Sequence, residues 1–502
     1  MTWFGRDLRR GVAALLLAGL LAGCEDMRPY RTQYTSDATS APPCDPSPRY
    51  DVPEACRAQS HERSRDYDLF FTEFTDQGLQ YPSEVADQKE AGYQINHTLE
   101  GLRTIAEDRS VKGISIIVYV HGWKHNARHD DPDVASFRAL LHAAASLEQA
   151  QGSGYRIVGV YVGWRGLSIR SEPASNLSFW TRKATALRVA QGSPRELFNR
   201  LRSFKCARNR DAARSRGRAA DSGNCTEPVS AGPREARVRM MMIGHSFGGW
   251  ILYNAVAGSL IESLTTVADS GDRDAENPRF ADMIVLLNPA FEASRYTPLH
   301  RIATTVDYSR YQAPILVSVT TTEDWATGWA FPIGRTLNSL FERSAGPEED
   351  EAIVRTMGHM ERYVTHELTA SGGRPEECRG WTALRDIPDP DARSRQARTN
   401  FEAEKANTEA FPGMRHALDP RWERTFCGGA RLKHVKYDPN SVIWNVRTDG
   451  TVMTGHNDIT NPLLIDFVRQ LYRDTLLYPL PVGPTVVPPG PGGPSAPAGA
   501  EK

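Results

Sequence analysis

Val238-Arg-Met-Met-Met-Ile-Gly-His-Ser-Phe-Gly-Gly-Trp250 is the stretch that decides how this chain is read. Val238–Ile243 is apolar and of strand length, and from Gly249 to Leu264 the apolar residues recur with a helical period. Between them, Gly244-His245-Ser246-Phe247-Gly248 fits G-x-S-x-G. The pentapeptide alone says little; a strand running in and a helix running out give it meaning. A turn that sharp has no room for a Cβ beside its apex, which explains the two glycines. It would carry the Ser246 hydroxyl to a helix N-terminus, where the dipole favours developing negative charge.

A serine hydroxyl needs a base, and the base needs an orienting acid. In folds that carry this turn the partners follow in the order serine, acid, histidine, each after a strand. Pro314–Val319 reads as a strand and leads into Glu323 and Asp324. Asp324 is the preferred acid, because its shorter side chain suits a strand-end turn, and Glu323 is its competitor. Ser441–Val446 is the last predicted strand and Pro462–Leu476 the closing helix; His456 lies in the loop between them and is the expected base. Oxyanion donors are expected from the backbone N–H of Phe247 and from the loop after strand Ile114–Val120, His121-Gly122-Trp123, through Trp123. His121, His125 and His129 are spaced for a metal only if a helix began where that strand ends, so no metal and no cofactor is expected.

Working outward, strand-length apolar runs at Asp68–Phe74, Ile114–Val120, Arg156–Val162, Val238–Ile243, Asp282–Leu287, Pro314–Val319 and Ser441–Val446 alternate with helical patterns at 94–106, 136–150, 249–264 and 462–476. That rhythm predicts an α/β fold with a mostly parallel central sheet flanked by helices. Residues 167–237 and 325–440 interrupt it as two large insertions. Residues 195–239 carry 12 Lys+Arg against 5 Asp+Glu, and the plainer reading of this excess is a solvated insertion. Residues 325–440 read as mostly helical or irregular. Aromatics of the insertions, Trp180, Phe198, Phe204, Trp329 and Phe331, suggest either plain core or a cover over an acyl pocket.

With these motifs in order, the chain resembles an α/β-hydrolase of the lipase- and esterase-like type. Strand–HGW, strand–GHSFG, strand–acid and strand–GH span most of residues 110–476. The resemblance implies a serine hydrolase cleaving carboxylic esters through an acyl-enzyme. Ser246 is then the nucleophile, His456 the general base and Asp324 its orienting acid, with Gly244 and Gly248 shaping the turn. The 132 residues from Asp324 to His456 are more than the family usually needs. A thioesterase, amidase or acyltransferase would share the same residues, and a silent binding or scaffold protein could keep the fold.

The ends read differently. Residues 1–23 have Arg6, Arg9 and Arg10 before an apolar run, Val12 to Ala22, which is short for a membrane span. Leu21-Ala22-Gly23-Cys24 resembles a bacterial lipobox, so the chain is expected to be exported and lipid-anchored at Cys24 to a bacterial membrane of the cell envelope. Residues 24–66 read as a proline-bearing tether, 67–478 as the hydrolase domain, and 479–502, with eight Pro and five Gly, as a disordered tail. Beyond Cys24 the six remaining cysteines suit an oxidising compartment, and proximity favours the pairs 44–56, 206–225 and 378–427. With 60 Lys+Arg against 61 Asp+Glu the chain is nearly neutral, which argues against nucleic acid as a partner. The expected partner is a small-molecule or lipid acyl ester.

Overall fold

The computed structural model describes residues 28–33, 52–82, 93–166, 179–215, 237–270, 277–306, 313–332, 335, 344–387, 389–410, 422–437 and 440–477. Eleven strands among them form one sheet: β1 (His61–Arg63), β2 (Tyr67–Phe74), β3 (Gly113–Val120), β4 (Tyr155–Trp164), β5 (Val238–His245), β6 (Met283–Leu287), β7 (Leu316–Thr321), β8 (His366–Ala370), β9 (Glu423–Thr425), β10 (Ala430–His434) and β11 (Ile443–Thr448). Their order is β1-β2-β4-β3-β5-β6-β7-β11-β8-β10-β9. From β2 through β8 every neighbouring pair is parallel; β1, and β10 with β9, add antiparallel edges. The fold is therefore α/β with a large, mixed, mostly parallel sheet flanked by helices.

The apolar runs are near-continuous because the central strands are buried on both faces. Alternate residues of one strand serve opposite cores. Ile116, Val118, Met240 and Met242 face one layer of helices, which includes Phe247–Ser270. Ile117, Tyr119, Met241 and Ile243 face the other, with helices Pro132–Gln151 and Pro462–Leu477. The chain runs from β3 outward to β4 and then returns past β3 to β5, so connections diverge around β3. In open parallel sheets a crevice forms at the carboxyl ends of strands where such a divergence occurs.

Two expectations are corrected. The tether is not outside the fold to residue 66: β1 pairs with β2, and Arg31 is fully buried, its guanidinium 2.9 Å from Glu62 and 2.8 Å from the Ala127 carbonyl. Arg138 meets the same Glu62 from helix Pro132–Gln151, so a buried carboxylate with two cations ties residues 28–33 to the body. The second insertion is not merely helical or irregular: residues 325–440 supply β8, β9 and β10, which lengthen the sheet beyond β11. Cys378 and Cys427 form a disulfide inside it. Cys56 and Cys206 are disulfide-bonded as well, while Cys44 and Cys225 lie outside the described residues, as do Cys24, the expected signal segment and the expected tail. Of the basic insertion, helix Pro194–Ser215 packs by its apolar side, and Lys205 is buried 2.6 Å from Asp282.

Candidate active site

The turn at Ser246 has the expected form. Ser246 has φ 56°, a left-handed conformation unusual for a side-chain-bearing residue. Its N–H donates to the Leu287 carbonyl at 2.9 Å, which ties the turn to the end of β6. A Cβ at Gly244 would stand 2.8 Å from the Gly248 carbonyl oxygen, and one at Gly248 would press into the backbone carbonyls of Val120 and His121. Both glycines are therefore demanded by close backbone approach. Phe247 opens the helix Phe247–Ser270, so its N–H is among those that intrahelical bonding leaves over.

Loops after three different strands bring Ser246, His456 and Asp324 into one chain. His456 Nε2 lies 2.8 Å from Ser246 Oγ, and His456 Nδ1 lies 2.8 Å from Asp324 Oδ2. Because the carboxylate only accepts, Nδ1 carries the proton and Nε2 is left to accept from the serine hydroxyl. Asp324 is 1 % exposed. Burial alone would raise its pKa; hydrogen bonds from His456 and from the Thr327 hydroxyl and N–H outweigh that and hold it below the usual carboxylate range. Glu323 is exposed beside it, with its side chain toward Gly450 rather than His456. Thr327 in turn meets His359 Nε2 at 3.0 Å.

The His121-Gly122-Trp123 loop lies against the serine. A Cβ at Gly122 would be 2.9 Å from Ser246 Cβ and 3.0 Å from His245 Nδ1. His121 fixes the loop from within. It is fully buried, stacks on Trp164 at 5.6 Å, accepts from the Trp164 N–H at 3.1 Å and donates through Nδ1 to the Gly122 carbonyl at 2.9 Å. Burial pushes its pKa down to about 4, so it is neutral at pH 7. His125 turns away to Asp131 and Asp133, at 2.9 and 3.5 Å. These three place ligand-type atoms within 4.8 Å of one another, a grouping the His121/His125/His129 spacing did not single out. Asp131 is already committed as the cap of helix Pro132–Gln151.

Two residues at the site escaped sequence reasoning. Asn288, directly after β6, donates to the His456 carbonyl at 2.9 Å and accepts from the Thr321 N–H at 3.1 Å. His245 donates from Nε2 to the same His456 carbonyl at 3.0 Å, and burial together with the nearby His456 keeps its pKa well below the ordinary value. Between them they pin the backbone that carries the imidazole. A polar residue directly after a buried apolar strand, as at Asn288, is the signal that marks the other site residues too. Of the insertion aromatics, Phe198 and Phe204 are core. Phe179 bridges Trp123 (5.1 Å) and Phe247 (4.9 Å), and Trp180 packs on Phe331 at 5.7 Å, so the first insertion borders the site. Trp325 and Trp329, flanking Thr327, are 71 % and 67 % exposed. Compared with known proteins, the chain matches no family model, no curated protein and no solved structure, so the reading of this site rests on its geometry.

Proposed function

We propose that the chain is a serine hydrolase of the α/β-hydrolase fold that cleaves carboxylic esters through an acyl-enzyme. The observation that carries the reading is the pair of 2.8 Å contacts linking Ser246, His456 and Asp324 at the carboxyl ends of parallel strands. Ser246 Oγ attacks the ester carbonyl carbon while His456 Nε2 takes its proton. Asp324 stabilises the imidazolium without itself being protonated. The negative oxygen of the tetrahedral adduct is met by the N–H groups of Phe247 and Trp123. As the adduct collapses, His456 returns the proton to the leaving alkoxide, and alcohol departs. Water then adds to the acyl-serine by the same route, its proton going to His456 and back to Ser246 as the carboxylic acid leaves. Asn288 and His245 act as positioning residues for His456.

In this reading the enzyme is exported and held at a bacterial membrane by lipid on Cys24, facing small or lipid acyl esters. The test is labelling of the full chain by a fluorophosphonate, with Ser246→Ala as control, followed by p-nitrophenyl esters of rising acyl length. Labelling confined to the Ser246 protein, with turnover of at least one ester, is expected. Absence of labelling in folded protein would overturn the reading. Labelling with a flat zero across the esters would move the substrate to a thioester, an amide or an acyl acceptor other than water.

A further inference from the structure

On the face of the sheet covered by helices Pro132–Gln151 and Pro462–Leu477, the two helices leave a cavity of about 170 Å³ between them. Its floor is Ile117, Met241, Ile243 and Val285 of β3, β5 and β6, and its walls include Leu140 and Val468. Ser246 does not line it. Tyr119 and Ile243 lie toward the Ser246 end of their strands, whereas Arg239, at the start of β5, and Arg473, late in the closing helix, line the opposite end. Its middle is apolar and both ends are polar: Asp133, bonded to the Tyr119 hydroxyl, lines the Ser246 end, and Arg239, Arg473 and Glu148 line the other.

The arginine end holds an unusual donor. The Arg473 side chain is 8 % exposed. Its Nη1 meets Glu404, and its Nη2 is 3.7 Å from Asp474 Oδ1. Among the described residues Nε and Nη2 have no hydrogen-bond acceptor. A buried guanidinium N–H without an acceptor is costly, and the planar fork suits a carboxylate. Arg239 lines the same end, 3.6 Å from Glu148 and stacked over Tyr155. An apolar cavity of roughly 150 Å³ takes up a six-carbon ring. A chain of about eight carbons is the size this one suits.

We propose that this cavity is a second binding site, separate from Ser246, for a medium-chain carboxylate whose alkyl chain lies over Met241 and Ile243 and whose head meets Arg473. The inference stands on the cavity alone and does not depend on the hydrolase reading.

The test is calorimetric titration of octanoate and of octanol into the full chain carrying Ser246→Ala, which keeps turnover and acylation out of the measurement. Saturable one-to-one binding is expected, with octanoate held at least about tenfold more tightly than octanol, as a charge-assisted bond to the head requires. Ala144→Trp and Val468→Trp each fill the cavity from a half-exposed wall, and each should weaken octanoate binding more than tenfold while far-ultraviolet circular dichroism is unchanged and the melting temperature stays within a few degrees. Arg473→Gln should abolish the preference for octanoate over octanol. No saturable binding, or binding that survives both tryptophan variants, would overturn the site. Equal affinity for the acid and the alcohol would overturn the role of Arg473.

Discussion

At the scale of single residues, the strongest discrimination is between Asp324 and Glu323. The two are neighbours, yet only Asp324 is buried and reaches His456. Asp324→Asn keeps the shape but replaces an acceptor-only carboxylate by an amide, which favours the wrong imidazole tautomer. We expect kcat on a p-nitrophenyl ester to fall by about 10⁴ with the melting temperature nearly unchanged. Glu323→Gln should stay within about threefold of the parent, since exposed charges contribute little. The reverse pattern would move the acid to Glu323. Ser246→Ala should leave at most about 10⁻⁴ of the parent rate.

At the scale of elements, the loop from β11 to the closing helix works only if its backbone is held. Asn288, just after β6, and His245, the last residue of β5, both donate to the His456 carbonyl. Asn288→Ala removes one of the two donors and frees the Thr321 N–H. We expect kcat to drop about tenfold to a hundredfold with KM little changed, because a small misplacement of a catalytic group is costly. Stopped-flow acylation measures this directly, and an unchanged acylation rate would show that His245 alone suffices. Such a clamp is invisible in sequence, since it joins positions 168 residues apart through backbone atoms. What the sequence did reveal were the buried strands β2 to β7 and β11, whose apolar runs mark them. β10, Ala430-Arg-Leu-Lys-His434, alternates buried and exposed residues, and its charged positions mask a strand that pairs on both sides, next to the edge strand β9. β1, His61-Glu-Arg63, is wholly polar and pairs because Glu62 is neutralised by Arg31 and Arg138, partners from distant segments. The serine turn and its partners were legible because strand ends are marked by abrupt changes from apolar to polar residues.

For the whole molecule, buried histidines set an acid limit on stability. Burial brings His121 and His97 down to about 4, and holds His245 and His366 well below the ordinary value. Each is neutral in the native protein, while the unfolded chain binds its proton near pH 6.5. Between these values the unfolded state holds more protons, so stability is full above about pH 6.5 and declines as pH falls toward 4. For His121 alone the loss is on the order of 3 kcal/mol. His125 works in the opposite sense: burial would lower its pKa, but Asp131 and Asp133 outweigh that and raise it. The lowered group is larger, so urea midpoints should decrease steadily from pH 7 to pH 5. A flat profile would mean these rings are hydrated in solution.

The exposed pair Trp325 and Trp329 also gives the protein an optical property. Among the described tryptophans only these two are exposed, and they flank the segment that holds Asp324. An aqueous quencher such as iodide should therefore dim them more than the buried tryptophans, and any amphiphile or vesicle that covers this segment should shield them and shift their emission to the blue. The chain carries its own fluorescent gauge of contact beside Asp324, readable without a label.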